Sequence, residues 1–287
     1  MKTGLVLEGG ALRTIYSAGV LDAFLDAGLP MPHYTVGVSA GIAYGVSYLS
    51  QQKRRNLKIV ANYAGDKRYM GLRNLADPKN RAYFGLEFGF ATIPNQLIPF
   101  DHDAFAAYPG TVEAVVTDLY TGAAAYLPVP RRDEENILLQ ASCALPLMFP
   151  IIYVDGRPCL DGGCTDPIPW RRALRAGCDR VVVVLTRERD YRKETDRTFR
   201  AVSRVYRKYP AFVESMRCRV ERYNEGRDAL FDLEKQGKVL VIAPEDTLGC
   251  SRTERDVKVL RALWQEGYFA GRAVSGKVRR FWTAETI

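Results

Sequence analysis

The sequence predicts an α/β fold in which helices pack on the faces of a mainly parallel sheet. Two strand–turn–helix units follow one another within the first fifty residues, and this order is typical of parallel sheets. Hydrophobic residues make up 47% of the 287 residues, which suffices for a large core, and charged residues make up 26%. This composition is that of a globular protein and excludes a disordered chain.

The two units share one order of features. Residues 3–8 predict a strand that two glycines end, and residues 12–27 carry apolar side chains at helical spacing. Residues 33–38 predict the second strand, residues 39–41 a turn of small residues, and residues 42–52 the second helix. The carboxyl ends of both strands therefore lead directly into helices.

The middle of the chain is less regular. Residues 53–80 and 83–105 lack clean periodicity and indicate irregular excursions, which in α/β enzymes often shape the active site. The remaining elements are hairpins at 113–129 and 151–160, helices at 134–143 and 170–176, and a buried strand at 180–186.

The composition changes after residue 186. Residues 187–236 are charged, rich in arginine and helical in pattern, residues 238–243 predict a strand, and residues 255–280 predict a closing helix. We therefore expect a catalytic core over residues 1–186. A helical C-terminal region with one added strand, over residues 187–287, is expected to pack on this core.

The main chemical motif is a G-x-S-x-G pattern around Ser39, from Gly37 to Gly41. A nucleophilic serine needs a tight strand-to-helix turn, and flanking glycines lack the Cβ atoms that would clash there. The helix that follows directs its first N–H groups at the position where negative charge develops during acyl transfer. The pattern alone is weak, but its place between a strand and a helix predicts Ser39 as the nucleophile.

The two histidines are poorly placed to act as the base for Ser39. His33 begins the strand that leads to Ser39, so it lies about 16 Å away at the opposite end. His102 follows Ser39 in the chain and would serve only in an unusual triad order, because no histidine follows a distal acid.

A carboxylate is therefore the expected base. Asp161 ends a predicted strand, and the two glycines after it allow another backbone to approach closely. An ordinary Asp-Gly turn is the structural alternative for this residue. Asp118 and Asp166 are further candidates, although Asp118 belongs to a predicted hairpin turn and Asp166 to a predicted helix cap.

The turn after the first strand is the candidate oxyanion hole. The backbone N–H groups around Gly9, Gly10 and Ala11 could face a developing oxyanion, and Arg13 adds positive charge nearby. A plain glycine turn into a helix is the alternative. The sequence lacks G-x-G-x-x-G and Walker A motifs, so no nucleotide cofactor is expected. Two histidines and six cysteines without metal-binding spacing also argue against a metal site.

The net charge of +8 is concentrated in residues 53–81, where nine lysines and arginines face two aspartates. Such a surface favours an anionic membrane face or a phosphate-bearing substrate, although a plain solvated surface is the simpler interpretation. No nucleic-acid-binding motif accompanies it, so nucleic acid is not an expected partner. The sequence shows no membrane span and no signal peptide. We expect a cytoplasmic protein, with peripheral contact at the inner membrane face as an option, and the oligomeric state stays open.

These elements together resemble the patatin-like phospholipase family. Its signatures are a G-G-G-x-R/K-G segment, a G-x-S-x-G elbow and a D-G-G/A motif, which correspond here to residues 9–14, 37–41 and 161–163. Residues 142–150 are similar to the segment that precedes the D-G-G motif in bacterial members. Parts of residues 239–268 are similar to the C-terminal region of a bacterial branch.

The resemblance implies a three-layer αβα sandwich, a dyad of Ser39 and Asp161, lipid acyl-ester substrates and neither metal nor cofactor. The glycine-rich segment departs from the family at Ala11 and Thr14. Alanine keeps its backbone donor in place if its φ is negative, but not where the position requires a positive φ. A catalytically weak lipid-binding or regulatory module therefore remains an alternative, as does a thioesterase or small-ester esterase.

Overall fold

The central sheet has eight strands within residues 1–195 and 198–283, which are the residues that the computed structural model describes. The strands are β1 (Thr3–Leu7), β2 (Tyr34–Val38), β3 (Thr111–Asp118), β4 (Ala124–Pro128), β5 (Ile152–Val154), β6 (Arg157–Asp161), β7 (Arg180–Val184) and β8 (Val239–Ile242). Their order is β5-β6-β3-β2-β1-β7-β8, and β4 pairs with β3. The five strands β3, β2, β1, β7 and β8 are parallel to one another. Strands β4 and β6 run antiparallel to β3, and β5 runs antiparallel to β6. The predicted α/β class with a mainly parallel sheet is confirmed.

Helices connect these strands. They are α1 (Ile15–Asp26), α2 (Ala40–Leu49), α3 (Arg55–Tyr63), α4 (Leu72–Ala76), α5 (His102–Ala107), α6 (Ile137–Cys143), α7 (Trp170–Arg175), α8 (Phe199–Val205), α9 (Pro210–Arg217), α10 (Arg219–Lys235) and α11 (Val257–Thr283). Two short 3-10 turns, Ala11–Thr14 and Gly162–Cys164, and a π-helical segment, Phe88–Leu97, complete the described elements.

Buried side chains pack on both faces of the sheet. In β1, Leu5 and Leu7 belong to one apolar cluster and Val6 to another, because successive residues of a strand face opposite sides. Helices α1, α2 and α11 cover the first face, and α7 and α10 cover the second. The chain thus adopts the expected αβα layering.

The excursion after α2 is more helical than predicted. The expectation of irregular structure is wrong for three segments, because Arg55–Tyr63 forms α3, Leu72–Ala76 forms α4 and Phe88–Leu97 is π-helical. Helix α3 carries apolar Leu57, Val60 and Ala61 at helical spacing, so its amphipathic pattern was present in the sequence and was overlooked. Further along, Met70 and Phe84 pair as an isolated bridge that closes the base of the loop carrying α4.

The difference in length between β3 and β2 brings the end of β6 beside the end of β2. Strand β2 pairs with β3 only as far as Val38, which lies opposite Val115. Strand β6 pairs with the next residues of β3, beginning with Asp161 opposite Val116. Because β4 occupies the other edge of β3 at Val116, β6 must use the edge that β2 uses. Strands β2 and β6, which run in opposite directions, therefore meet end to end at Val38 and Asp161, and Ser39 follows Val38 directly.

Strand β8 and helix α11 provide two of the contacts between the C-terminal region and the core. Strand β8 extends the sheet beside β7, and α11 lies along α1. Residues 196–197 and 284–287 of the predicted region lie outside the described residues. Its predicted boundary at residue 187 stays a prediction.

Glycines allow α1 and α11 to approach closely. A Cβ atom on Gly267 would lie 2.0 Å from the carbonyl oxygen of Tyr16, and one on Gly19 would lie 2.1 Å from that of Trp264. Backbone atoms at these distances cannot be displaced by a side-chain rotation. This helix pair therefore requires glycine at both contacts.

We expect Gly267→Ala to lower the free energy of unfolding by about 3 kcal/mol, because the added methyl group overpacks the contact between helices. Gly276→Ala in the same helix is the control, because its Cβ would meet only Arg280 Nη1, at 3.8 Å. This control should raise the free energy of unfolding by up to about 1 kcal/mol, since alanine favours helix. Denaturant unfolding measures both values, and equal effects would contradict the interpretation.

Candidate active site

Ser39 occupies a strained turn between β2 and α2. Its φ is 55° and its ψ is −134°, a combination that non-glycine residues seldom adopt outside functional turns. The residue is 7% exposed. Its backbone N–H donates to Ser142 Oγ at 2.8 Å, and that hydroxyl donates to the carbonyl oxygen of Val115 at 2.8 Å. Ser142 thus ties the turn to β3 and satisfies a buried donor.

Asp161 lies beside Ser39, as the meeting of β2 and β6 requires. Its carboxylate is buried and accepts a hydrogen bond from the Gly163 N–H at 2.7 Å. Burial raises the pKa of Asp161 above its ordinary value, because desolvation disfavours the charged form. Hydrogen bonds from the Gly163 N–H and the Ser39 hydroxyl, and the charges of two arginines, counteract this rise in pKa only in part.

The turn after β1 lies against the other side of Ser39. A Cβ atom on Gly9 would lie 2.9 Å from Ser39 Cβ and 2.9 Å from the Val38 carbonyl oxygen, so only glycine fits there. No acceptor among the hydrogen bonds of the described residues takes the N–H groups of Gly10 and Ala11. These donors are therefore available to a negatively charged oxygen near Ser39.

Ala11 adopts the positive φ on which its effect depends. Its φ is 49°, in the left-handed region that L-residues other than glycine avoid. A Cβ atom in this conformation costs about 1–2 kcal/mol. The departure from glycine at this position therefore puts strain into the turn that carries the candidate oxyanion donors.

Glu8 is a buried carboxylate at the end of β1 that the sequence analysis did not single out. It accepts hydrogen bonds from the Thr186 N–H at 2.6 Å and from the Tyr223 hydroxyl at 2.7 Å. These contacts join the ends of β1 and β7 to helix α10. The position of an acidic residue at the end of a buried strand was the only signal available for it.

Two cavities meet at Ser39. The first is apolar, has a volume of about 140 Å³ and is lined by residues that include Ile59, Phe90, Ile93, Phe100, Leu139 and Phe149. A single water needs only about 10–15 Å³, so this space can hold part of an organic ligand. The second is polar and is lined by residues that include Glu8, Gly9, Gly10, Arg13, Asp161 and Arg252. Ser39 and Ala11 line both cavities.

The other candidate bases have different partners. Asp118 Oδ1 accepts the N–H groups of Tyr120 and Thr121 in the β3–β4 turn, and Asp166 accepts the Tyr126 hydroxyl at 2.6 Å. The contacts of Asp118 stabilise the β3–β4 turn, and the contact of Asp166 joins it to β4.

The two histidines have other surroundings than Ser39 and Asp161. The ring Nδ1 of His33 lies 2.9 Å from Thr3 Oγ1, at the start of β1. His102 begins α5 and lines the apolar cavity, where its Nε2 is buried and has no hydrogen-bond partner among the described residues. Two titratable side chains, Asp161 and Cys143, do interact with Ser39, and burial raises the pKa of both.

The described residues contain neither a metal-binding cluster nor a helix able to span a membrane. Within them, no three histidine, cysteine, aspartate or glutamate side chains are grouped as they would be around a metal ion. Over the same residues, no helix combines the length and the hydropathy needed to cross a membrane.

Two family models match this chain. The model described as "Patatin-like phospholipase" matches residues 5–174, and the model described as "Domain of unknown function (DUF6363)" matches residues 209–283. A curated relative, the uncharacterized protein YjjU of Escherichia coli (strain K12), is 28% identical over 201 residues. This match covers 64% of the chain and 52% of the relative, so it spans about half of the relative's length.

We expect Ala11→Gly to raise the free energy of unfolding by about 1 kcal/mol, because glycine adopts a positive φ without a Cβ clash. Ala201→Gly is the matched control, since Ala201 is exposed in α8 and has an ordinary helical conformation. This control should lower the free energy of unfolding by about 1 kcal/mol. Thermal unfolding compares the two, and a loss of stability in both would argue against strain at Ala11.

Proposed function

Because the chain belongs to the patatin-like phospholipase family, we propose that it is a serine acyl hydrolase that cleaves carboxylic esters of lipids. In this proposal Ser39 is the nucleophile and Asp161 is its base. The observation that carries the proposal is the placement of the buried Asp161 carboxylate beside Ser39, which stands on a strained turn where β2 and β6 meet on the edge of β3.

The first half of the reaction forms an acyl-enzyme. Ser39 Oγ attacks the ester carbonyl carbon while its proton moves to the Asp161 carboxylate. The carbonyl oxygen becomes an oxyanion, which the N–H groups near Gly10 and Ala11 stabilise together with the charge of Arg13. The tetrahedral intermediate then collapses, and the departing alcohol takes the proton from Asp161.

The second half releases the fatty acid. A water molecule attacks the acyl carbonyl carbon and gives its proton to Asp161. When this intermediate collapses, Ser39 Oγ leaves and takes the proton back from Asp161. The enzyme is thus restored, and one ester and one water have become one acid and one alcohol.

The environment of Asp161 suits a base of this kind. An exposed aspartate has a pKa of about 3.9 and accepts protons poorly near neutral pH. Burial raises the pKa of Asp161, so its carboxylate binds a proton more readily than an exposed one. The hydrogen bond from the Gly163 N–H holds the carboxylate in one orientation, so that the side chain of Asp161 does not rotate away from Ser39.

In this proposal the protein acts at an anionic membrane surface, which it contacts through residues 53–81. Of the nine basic residues there, all except Arg55 are exposed. Helix α4 lies among them and exposes two apolar side chains, with Leu72 76% and Leu75 40% exposed. Exposed leucines beside basic residues support contact with an anionic bilayer. The basic side chains would meet the anionic head groups, and the leucines would enter the boundary of the acyl chains. The cytoplasmic location stays a prediction.

The strain at Ala11 supports the second candidate function, a lipid-binding or regulatory module with weak catalysis. A thioesterase or small-ester esterase would use the same dyad. Hydrolysis rates across acyl chain lengths separate these functions. A lipid hydrolase uses the apolar cavity to bind its acyl chain, so its rate should rise with chain length, whereas the rate of a small-ester esterase should not.

We expect a fluorophosphonate probe to add once to the purified protein, because the probe reacts with an activated serine. Ser39→Ala should show no adduct, and intact mass is the measurement. Ser203→Ala, at a half-buried position of α8 that lines neither cavity, is the control and should label like the wild type. A well-folded wild type without an adduct would favour the lipid-binding module.

We expect Asp161→Asn to lower kcat/KM at least about a thousandfold, because amides do not accept the proton. In the wild type, activity should rise with pH through a midpoint above the ordinary aspartate value of 3.8, since burial raises this pKa. A pH–rate profile measures the midpoint.

The same variant should not lose stability. A raised folded-state pKa stabilises the fold below the unfolded pKa, and this contribution is lost as pH rises through the folded pKa. At pH 8 the wild type therefore holds a buried charge that its partners compensate only in part, and asparagine lacks this charge. Thermal unfolding at pH 8 should place Asp161→Asn at or above the wild type; a clear drop would mean that activity was lost through misfolding.

A further inference from the structure

The polar cavity beside Ser39 is lined by more cationic than anionic groups. Its cationic side chains are Arg13, Arg187, Lys193, Arg219 and Arg252. The carboxylates on its wall are Glu8 and Asp161. Four of the five cations lie beyond residue 174, where the match to the patatin-like family model ends. A concave surface with this charge raises the local concentration of anions.

Neither carboxylate offsets this charge fully. Glu8 already accepts hydrogen bonds from the Thr186 N–H and the Tyr223 hydroxyl, one on each carboxylate oxygen. Burial raises the pKa of Asp161, which is engaged with Ser39 and Gly163. Arg219 donates from its Nε to the Gly163 carbonyl oxygen at 3.1 Å, and this hydrogen bond holds it close to Asp161.

Arg13 has a buried donor that needs an acceptor. The residue is 7% exposed, and its Nε is buried with no hydrogen-bond partner among the described residues. Desolvation and the nearby charges of Arg187 and Arg252 lower the pKa of Arg13 to about 10. Arg187 Nε is also buried without a hydrogen-bond partner in the described part of the chain, while Arg187 Nη1 lies 3.9 Å from the Glu188 carboxylate. An anion placed between these guanidinium groups would relieve both the repulsion and the missing hydrogen bonds.

We propose that this cavity is an anion subsite that holds the phosphate of a phospholipid with a net negative head group, while an acyl chain occupies the apolar cavity. The proposal rests on the proposed function, because it places the scissile ester at Ser39. Guanidinium groups suit phosphate through paired N–H donors. A zwitterionic head group brings its own cation, which the arginines repel, so such lipids bind more weakly.

The position of Ser39 on both cavities favours a lipid phosphate over a free phosphate ion. A phosphate ion fills only the polar side and leaves the apolar cavity empty. An anionic phospholipid reaches both, because its acyl ester lies between its apolar chain and its head group. The C-terminal region therefore contributes head-group selectivity to a site whose catalytic groups lie in the core.

Binding to full-length Ser39→Ala tests this without turnover. Isothermal titration compares dihexanoylphosphatidylglycerol with dihexanoylphosphatidylcholine, which carry the same acyl chains. We expect the anionic lipid to bind about tenfold more tightly, as one good charge-assisted contact allows. Equal affinities would overturn the proposal. Inorganic phosphate alone should bind far more weakly than the anionic lipid, and equal affinity would assign the cavity to free phosphate instead.

Charge variants in the Ser39→Ala background locate the effect. Replacing Arg187→Gln and Arg252→Gln together should bring the affinity ratio of the two lipids close to one. Lysine at both positions keeps the charge and should retain most of the preference, which separates charge from packing. Arg207→Gln removes an exposed arginine that lines neither cavity and should leave the ratio as it is. An unchanged ratio in the glutamine variant, with thermal unfolding intact, would overturn the proposal.

The two proposals fail separately. A head-group preference without fluorophosphonate labelling would leave the anion subsite standing and remove the hydrolase function. Labelling of Ser39 without a head-group preference would leave the hydrolase function standing and remove the anion subsite.

Discussion

The site depends on one constraint in the sheet, the end-to-end meeting of β2 and β6 on a shared edge of β3. Strand β2 stops at Val38, and β6 arrives from the opposite direction to place Asp161 opposite the next residue of β3. Ladder hydrogen bonds fix this register, and a slip by one residue would turn the carboxylate to the other face. Ser39 and Asp161 are therefore positioned by backbone pairing rather than by long flexible side chains.

The electrostatics of the site balance two opposing effects on Asp161. Desolvation is the larger effect and raises its pKa, whereas Arg219 and Arg252 lower it. Both arginines come from the part of the chain that follows residue 174, where the match to the patatin-like family model ends. If the cavity takes an anionic head group, its bound charge would oppose the arginines and make the carboxylate a stronger base. Substrate binding and base strength would then be coupled.

The C-terminal region is part of the site in physical terms. The Tyr223 hydroxyl donates to buried Glu8, and the backbone carbonyl of Arg252 accepts the Leu12 N–H at 3.3 Å. Both contacts support the turn that carries the candidate oxyanion donors. Since Ala11 holds that turn in a conformation with a positive φ, neighbouring contacts must supply the free energy that offsets the strain.

The sequence by itself determined the α/β class, most elements and the two motifs around Ser39 and Asp161, because strand alternation, helical spacing and glycine turns are local. It placed Ser142 in a segment similar to that of the family, but it gave no role to Ser142, to Glu8 or to the individual arginines after residue 186, since their partners lie far away in the chain. It also posed the question of φ at Ala11 without being able to answer it. The tertiary structure decided these points, because strand register, burial and charge clustering arise only when distant segments meet.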